Sequence, residues 1–181
     1  STGAIVASIQ AAAIDLGLEP PSDERASHII GLGLIDALRH ALPDLPQERY
    51  VDVAERYRHH YLSRDHDLLL FDGAADLIDE LTRAGHRLAI ATGKTRKGLD
   101  RAFAVSGLGP RFQASRCADE CHSKPHPQML EELMSEFGVE PQATLMIGDT
   151  THDLLMARNA GVAALGVTYG AHPRAALEAE V

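Results

Sequence analysis

Ala143-Thr144-Leu145-Met146-Ile147-Gly148-Asp149-Thr150-Thr151-His152-Asp153 is the stretch whose reading decides the fold. The apolar run 143–147 is too short for a helix and reads as a buried strand. A polar turn follows, and residues 151–160 continue as a helix that Gly161 ends. The same unit recurs on both sides. Downstream, Val162–Val167 is a further strand. Upstream, helix 127–137 closes at Gly138, 112–118 is a strand, and helix 95–106 closes at Gly107. Before these come the apolar run Arg87–Ala91 and helix 74–84, with Gly85 as its C-cap. Strands alternating with helices predict an α/β fold, a parallel sheet covered by helices on both faces.

Residues 1–70 have a different texture. Ile5, Ile9, Ala12, Ala13 and Leu16 recur at helical spacing, and Gly17 ends that segment. Ser22 before Asp23 and Glu24 suits a helix start. Gly31-Leu32-Gly33 is a bend before a helix that stops ahead of Pro43. From Pro46 onward, Tyr50, Val53, Ala54, Tyr57 and Tyr61 mark one face of a longer helix. The expected organisation is a helical domain over 1–70 and an α/β domain over 71–181.

Composition narrows the function. An apolar fraction of 45% with 24% charged residues is ordinary for a globular chain. The net charge of -9 argues against a dedicated nucleic-acid binder, which presents a basic face. No apolar run approaches the ~18 residues that a membrane span needs, and no signal peptide is read at the start, so a cytoplasmic location is expected. Cys117 and Cys121 are too few for a disulfide framework, and their spacing does not suit a zinc pair. The ten histidines are scattered along the chain and receive no role.

In an open parallel sheet, ligands bind beyond the carboxyl ends of the strands. Three such ends carry polar signals. Ala91 runs into Thr92-Gly93-Lys94, where a hydroxyl and backbone N–H groups could hold phosphate oxygens; a plain turn in which Thr92 satisfies the backbone is the alternative. Ser123-Lys124-Pro125-His126-Pro127 fixes a lysine that could neutralise a phosphoryl group, or that is simply solvated. Asp149 ends a strand and Asp153 follows one turn later. Two carboxylates facing one pocket suit a hard cation such as magnesium, although Thr150-x-x-Asp153 also fits a helix capping box.

These three segments resemble, in order and spacing, the second, third and fourth motifs of the haloacid dehalogenase-like hydrolases, and most closely their phosphoglycolate phosphatase-like branch. The resemblance implies a Rossmann-like sheet with an inserted helical cap. It implies that Thr92 and the Gly93 backbone bind the transferring phosphoryl group, that Lys124 offsets its charge, and that Asp149 and Asp153 hold Mg2+. It implies a small phosphorylated metabolite as substrate, phosphoglycolate being the best single guess. Gly-Asp-x-x-x-Asp favours phosphoryl transfer over dehalogenation. A sugar-phosphate mutase and a non-catalytic phospho-ligand binder remain alternatives.

One motif of that family has no counterpart. An apolar strand ending in Asp-x-Asp-Gly-Thr supplies the nucleophile and the general acid in the family. Asp65-His66-Asp67 precedes its apolar run instead of following one, and reads as the exit from the helical segment. Ser1-Thr2-Gly3-Ala4 resembles the start of the first cap helix, so the nucleophile-bearing strand is expected upstream, with a break in the sheet where it belongs. Gly31-Leu32-Gly33 could place cap backbone over the pocket but is read first as an interhelical turn, and Arg25, Arg39 and Arg49, possible substrate contacts, are read first as solvated.

Overall fold

A computed structural model of the chain describes residues 2–64 and 70–180. Asp65-His66-Asp67 lies outside them. The helical half comprises α1 (Thr2–Asp15), α2 (Asp23–His28), α3 (Leu34–Ala41) and α4 (Tyr50–Arg64). After it come α5 (Ala74–Arg83), β1 (Ala89–Thr92), α6 (Arg96–Ser106), β2 (Ala114–Cys117), α7 (Gln128–Phe137), β3 (Leu145–Gly148), α8 (Thr151–Asn159), β4 (Ala163–Gly166) and α9 (Arg174–Glu178). None of the described helices is long and apolar enough to cross a membrane.

Local chemistry sets these boundaries. Ser22 caps α2 by accepting from the Arg25 N–H at 3.3 Å. Thr95 caps α6 through the Gly98 N–H, and Gly107, at φ +70°, ends that helix in the left-handed region open to glycine.

Each half has a hydrophobic core of its own. Ile9, Ala12, Leu38, Val53 and Ala54 belong to the helical one, where α1 packs on α4. Met129, Leu130, Met134, Met156 and Val162 form the other, between α7 and α8.

All strand pairing among the described residues is parallel, and the strands form two ribbons, with a break in the sheet as expected. β1 pairs with β2, Ala89 opposite Ala114, and β3 pairs with β4, Leu145 opposite Ala163. No backbone pairing joins the ribbons among the described residues. α7 packs on β1 and β2, and α8 on β3 and β4. The expected cover on both faces fails at β3. Met146 turns toward the α7–α8 core, while Leu145 and Ile147 point the other way and are 56% and 47% exposed. Alternation along a strand puts these neighbours on opposite faces, so one face of β3 is covered and the other is open.

Candidate active site

The carboxyl ends of β1 and β3 and the loop after β2 converge on one cavity of about 570 Å³ between the helical half and the strands. Thr92, Gly93, Lys124, Asp149 and Asp153 all line it. The cavity is where the sequence-derived candidates meet.

At the end of β1, Thr92 Oγ1 accepts from the Lys94 N–H at 3.1 Å, so its hydroxyl also stabilises the turn. Gly93 has no room for a side chain. A Cβ there would stand 2.5 Å from the Leu32 carbonyl oxygen and 2.6 Å from that of Gly31. The Gly31–Gly33 bend is therefore more than an interhelical turn. Its backbone lies on the β1 turn, Gly31 adopts φ +101° beside Thr150, and the Gly33 N–H donates to Ser123 Oγ at 2.8 Å. The bend touches all three candidate segments.

Lys124 is not a solvated lysine. Its side chain is 6% exposed, and Nζ donates to Asp153 Oδ1 at 2.6 Å. Asn159 of α8 holds the same loop by donating to the Pro125 carbonyl at 2.9 Å.

Asp153 carries two roles at once. Its Oδ2 accepts from the Thr150 N–H at 3.1 Å and the Thr150 hydroxyl at 2.7 Å, while Thr150 Oγ1 accepts from the Asp153 N–H, which completes the capping box. Burial pushes the Asp153 carboxyl up, but the Lys124 charge and the hydrogen bonds from Lys124 and Thr150 outweigh it. The carboxyl is held below its ordinary value.

Asp149 Oδ2 accepts from the Ala171 N–H at 2.8 Å, and its carbonyl accepts from the His172 N–H. Oδ1 has no hydrogen-bond partner among the described residues. As a donor set, these two carboxylates suit Mg2+ in kind, because that ion takes hard oxygens and fills its octahedron with one or two carboxylates, water and substrate oxygens. The described residues hold no cluster of three or more metal-ligating side chains.

Two groups were missed in the sequence, and only the second lines the cavity. His28, His152 and His172 meet at the junction of the two halves, with ring centroids 5.2–5.3 Å apart. His152 Nε2 and His172 Nε2 both donate to the His28 carbonyl, at 2.7 and 3.1 Å, and His172 Nδ1 accepts from the Thr151 N–H at 3.0 Å. Burial lowers the pKa of both rings and favours their neutral form. Lys94, unlike these histidines, lines the cavity, beside Tyr61. The histidines carry no local sequence signal beyond the residue type, and Lys94 stands in the Thr92-Gly93-Lys94 turn without a role read for it. Arg25, Arg39 and Arg49 do not line the cavity, and Arg39 and Arg49 pair with Asp36 and Asp52 on exposed helix faces.

The family model described as haloacid dehalogenase-like hydrolase matches residues 1–167. The chain is 37% identical over 182 residues to "Probable phosphatase IndB" of Dickeya dadantii, an alignment covering 97% of this chain and 78% of that one. It is 31% identical to the pyrophosphatase PpaX of Bacillus pumilus, over 82% of this chain and 68% of the relative. The phosphoglycolate phosphatase of Agrobacterium fabrum is 29% identical, over 92% and 74%. The crystal structure of a predicted phosphoglycolate phosphatase from Haemophilus somnus superimposes with a TM-score of 0.86 at 23% identity, covering 99% of this chain and 84% of that one, a likeness of fold. The chain belongs to the haloacid dehalogenase-like hydrolase family, on its phosphoglycolate phosphatase- and PpaX-like branch.

Proposed function

We propose that the protein is a magnesium-dependent phosphatase that hydrolyses a small phosphorylated metabolite, with phosphoglycolate the best single candidate. The observation that carries this reading is the meeting of Thr92, Gly93, Lys124, Asp149 and Asp153 in one cavity. A hydroxyl and a backbone N–H, a buried lysine and two carboxylates are the groups that phosphoryl transfer needs beside its nucleophile. In this reading residues 1–70 form the cap and 71–181 the hydrolase core.

The nucleophile is an aspartate on a further strand that fills the break between β1 and β3. Two features support this: among the described residues the ribbons are unpaired with each other, and Ile147 and Ile90 line the cavity from the strands flanking the break. The carboxylate attacks phosphorus, the bond to the leaving oxygen breaks, and a second carboxylic acid gives that oxygen its proton. Water then opens the aspartyl-phosphate. Throughout, Thr92 and the Gly93 N–H hold the non-bridging oxygens and Lys124 offsets their charge. A Mg2+ held by Asp149 and Asp153 would stabilise the same developing charge.

The test compares residues 1–181 with the same chain extended upstream by about fifteen residues, enough for one strand and a catalytic turn. Phosphate release and thermal melting are measured on both. The extension should supply turnover and raise the melting temperature, and Asp149→Ala should abolish its magnesium-dependent activity without unfolding it. Full turnover by residues 1–181 alone would place the chemistry on another carboxylate, with Asp65 and Asp67 of the Asp65-His66-Asp67 stretch the first to test. Near wild-type hydrolysis of p-nitrophenyl phosphate by Asp149→Ala would remove that residue from the metal site.

A further inference from the structure

The cavity holds a cation that the phosphoryl chemistry above does not use. Lys124 is matched by Asp153 at 2.6 Å and points toward α8. Lys94 leaves the turn after β1 toward the opposite wall, where Nζ donates to the Tyr61 hydroxyl at 3.2 Å and lies 5.4 Å from the centre of that ring. Lys94 is half-buried, and no carboxylate pairs with it among the described residues. An ammonium has three donors, and a neutral hydroxyl satisfies one of them. Partial burial of a charge without an opposite charge is unfavourable unless something compensates it.

Its neighbours enforce the position. Tyr61 stacks on Tyr57 with centroids 5.6 Å apart and planes 17° from parallel, which fixes the ring that carries the hydroxyl. Arg58, on the same helix, and Lys97 line the same cavity and add positive charge on that side. On a chain of net charge -9 this concentration is local. It raises the potential for anions at the end of the cavity nearer α4.

We propose that Lys94, positioned by Tyr61, binds a second anionic group of the substrate, a carboxylate or a second phosphate a few bonds from the phosphoryl group. This assignment rests on the phosphatase reading for the first anion. It names the substrate class as small doubly anionic phosphometabolites and gives the α4 face a part in choosing among them. Lys94 would touch the substrate, and Tyr61 would act through Lys94.

The test is equilibrium binding by residues 1–181, in magnesium buffer, of three probes: phosphoglycolate, pyrophosphate and ethyl phosphate. Ethyl phosphate has the two-carbon skeleton of phosphoglycolate, with a methyl in place of its carboxylate. The wild-type chain should prefer at least one doubly anionic probe over ethyl phosphate. Lys94→Ala should shrink that preference by about ten- to a hundredfold, the worth of one charge-assisted hydrogen bond. Lys94→Arg should recover part of it. Tyr61→Phe should reduce it by a smaller factor, whereas a purely structural role for that hydroxyl would weaken all three probes together. Loss confined to phosphoglycolate or to pyrophosphate identifies the second anion as carboxylate or phosphate. A wild-type chain that does not discriminate, or a preference that survives Lys94→Ala, overturns the proposal. Failure of the phosphatase reading shows separately, as absent phosphate release from the extended protein.

Discussion

Replacing Lys124 by Met tests the central ion pair. The two side chains are 6% and 4% exposed and meet at 2.6 Å. Removal of the cation leaves Asp153 with the two Thr150 donors, both on Oδ2. Breaking a buried pair by deleting one partner costs about 3–5 kcal/mol, most of it the burden of the remaining charge. The surviving Thr150 bonds put the expectation at the lower end, about 3 kcal/mol in urea denaturation at neutral pH with a chelator present. Lys124→Met combined with Asp153→Asn should cost less than Lys124→Met alone, because no charge is stranded. The pH dependence has a definite sign. In the wild-type chain the Asp153 carboxyl titrates below its ordinary 3.8, so its contribution is present above that value and is lost as pH falls through the lowered one. In the variant burial acts without the lysine, so the carboxyl titrates higher than in the wild-type chain and the penalty shrinks on acidification. The gap between the two proteins should therefore narrow as the pH falls. A cost under about 1 kcal/mol at neutral pH, or a gap of constant width, would refute the buried pair.

Gly93→Ala should destabilise the chain by about 1–3 kcal/mol, since its methyl would meet two backbone carbonyls that cannot rotate away; a loss under about 0.5 kcal/mol in the same denaturation assay would mean that the Gly31–Gly33 bend does not rest there. In the extended protein, Lys124→Ala should slow turnover by about 10²- to 10³-fold and Thr92→Val by less, because the Gly93 N–H remains; the reverse order in steady-state kinetics would invert their roles. Cys117 is fully buried, and burial pushes its thiol up to about 11, so in the native chain it should resist iodoacetamide at about pH 8. Prompt labelling located at Cys117 by peptide mass would contradict that burial.

Elements whose causes are local were legible in the chain. Strand-to-helix alternation placed β1 to β4, and glycines marked the ends of α6 and α7, because period and capping act within a few residues. Thr150-x-x-Asp153 allowed two readings, a cap and a cavity carboxylate, and Asp153 both caps α8 and lines the cavity. The contacts that escaped join residues far apart in sequence. Lys124 reads as a phosphoryl-neutralising or a solvated lysine, but its ion pair with Asp153, 29 positions later, is not visible in the chain. His28 stands 124 positions before His152, and no periodicity links them. Leu145 and Ile147 look like core residues because an apolar strand has the same composition whether one face is covered or both. The division into two ribbons is likewise a property of neighbours, although the absent Asp-x-Asp motif pointed to a break.

The Gly31–Gly33 bend bears on how this protein can diversify. Where it meets Gly93 and Ser123, its own atoms are main-chain carbonyls and an N–H, so its contribution to that joint carries no side-chain identity. Substitutions elsewhere on α1, α3 and α4 can redraw the walls of the cavity without renegotiating how the helices seat on the strands. The glycines are denied that freedom, as is Thr150, whose side chain stands 3.0 Å from where a Gly31 Cβ would be. A lineage evolving toward new substrates would be expected to vary along the α4 face and stay fixed at the bend, with recognition drifting on a mount that does not move.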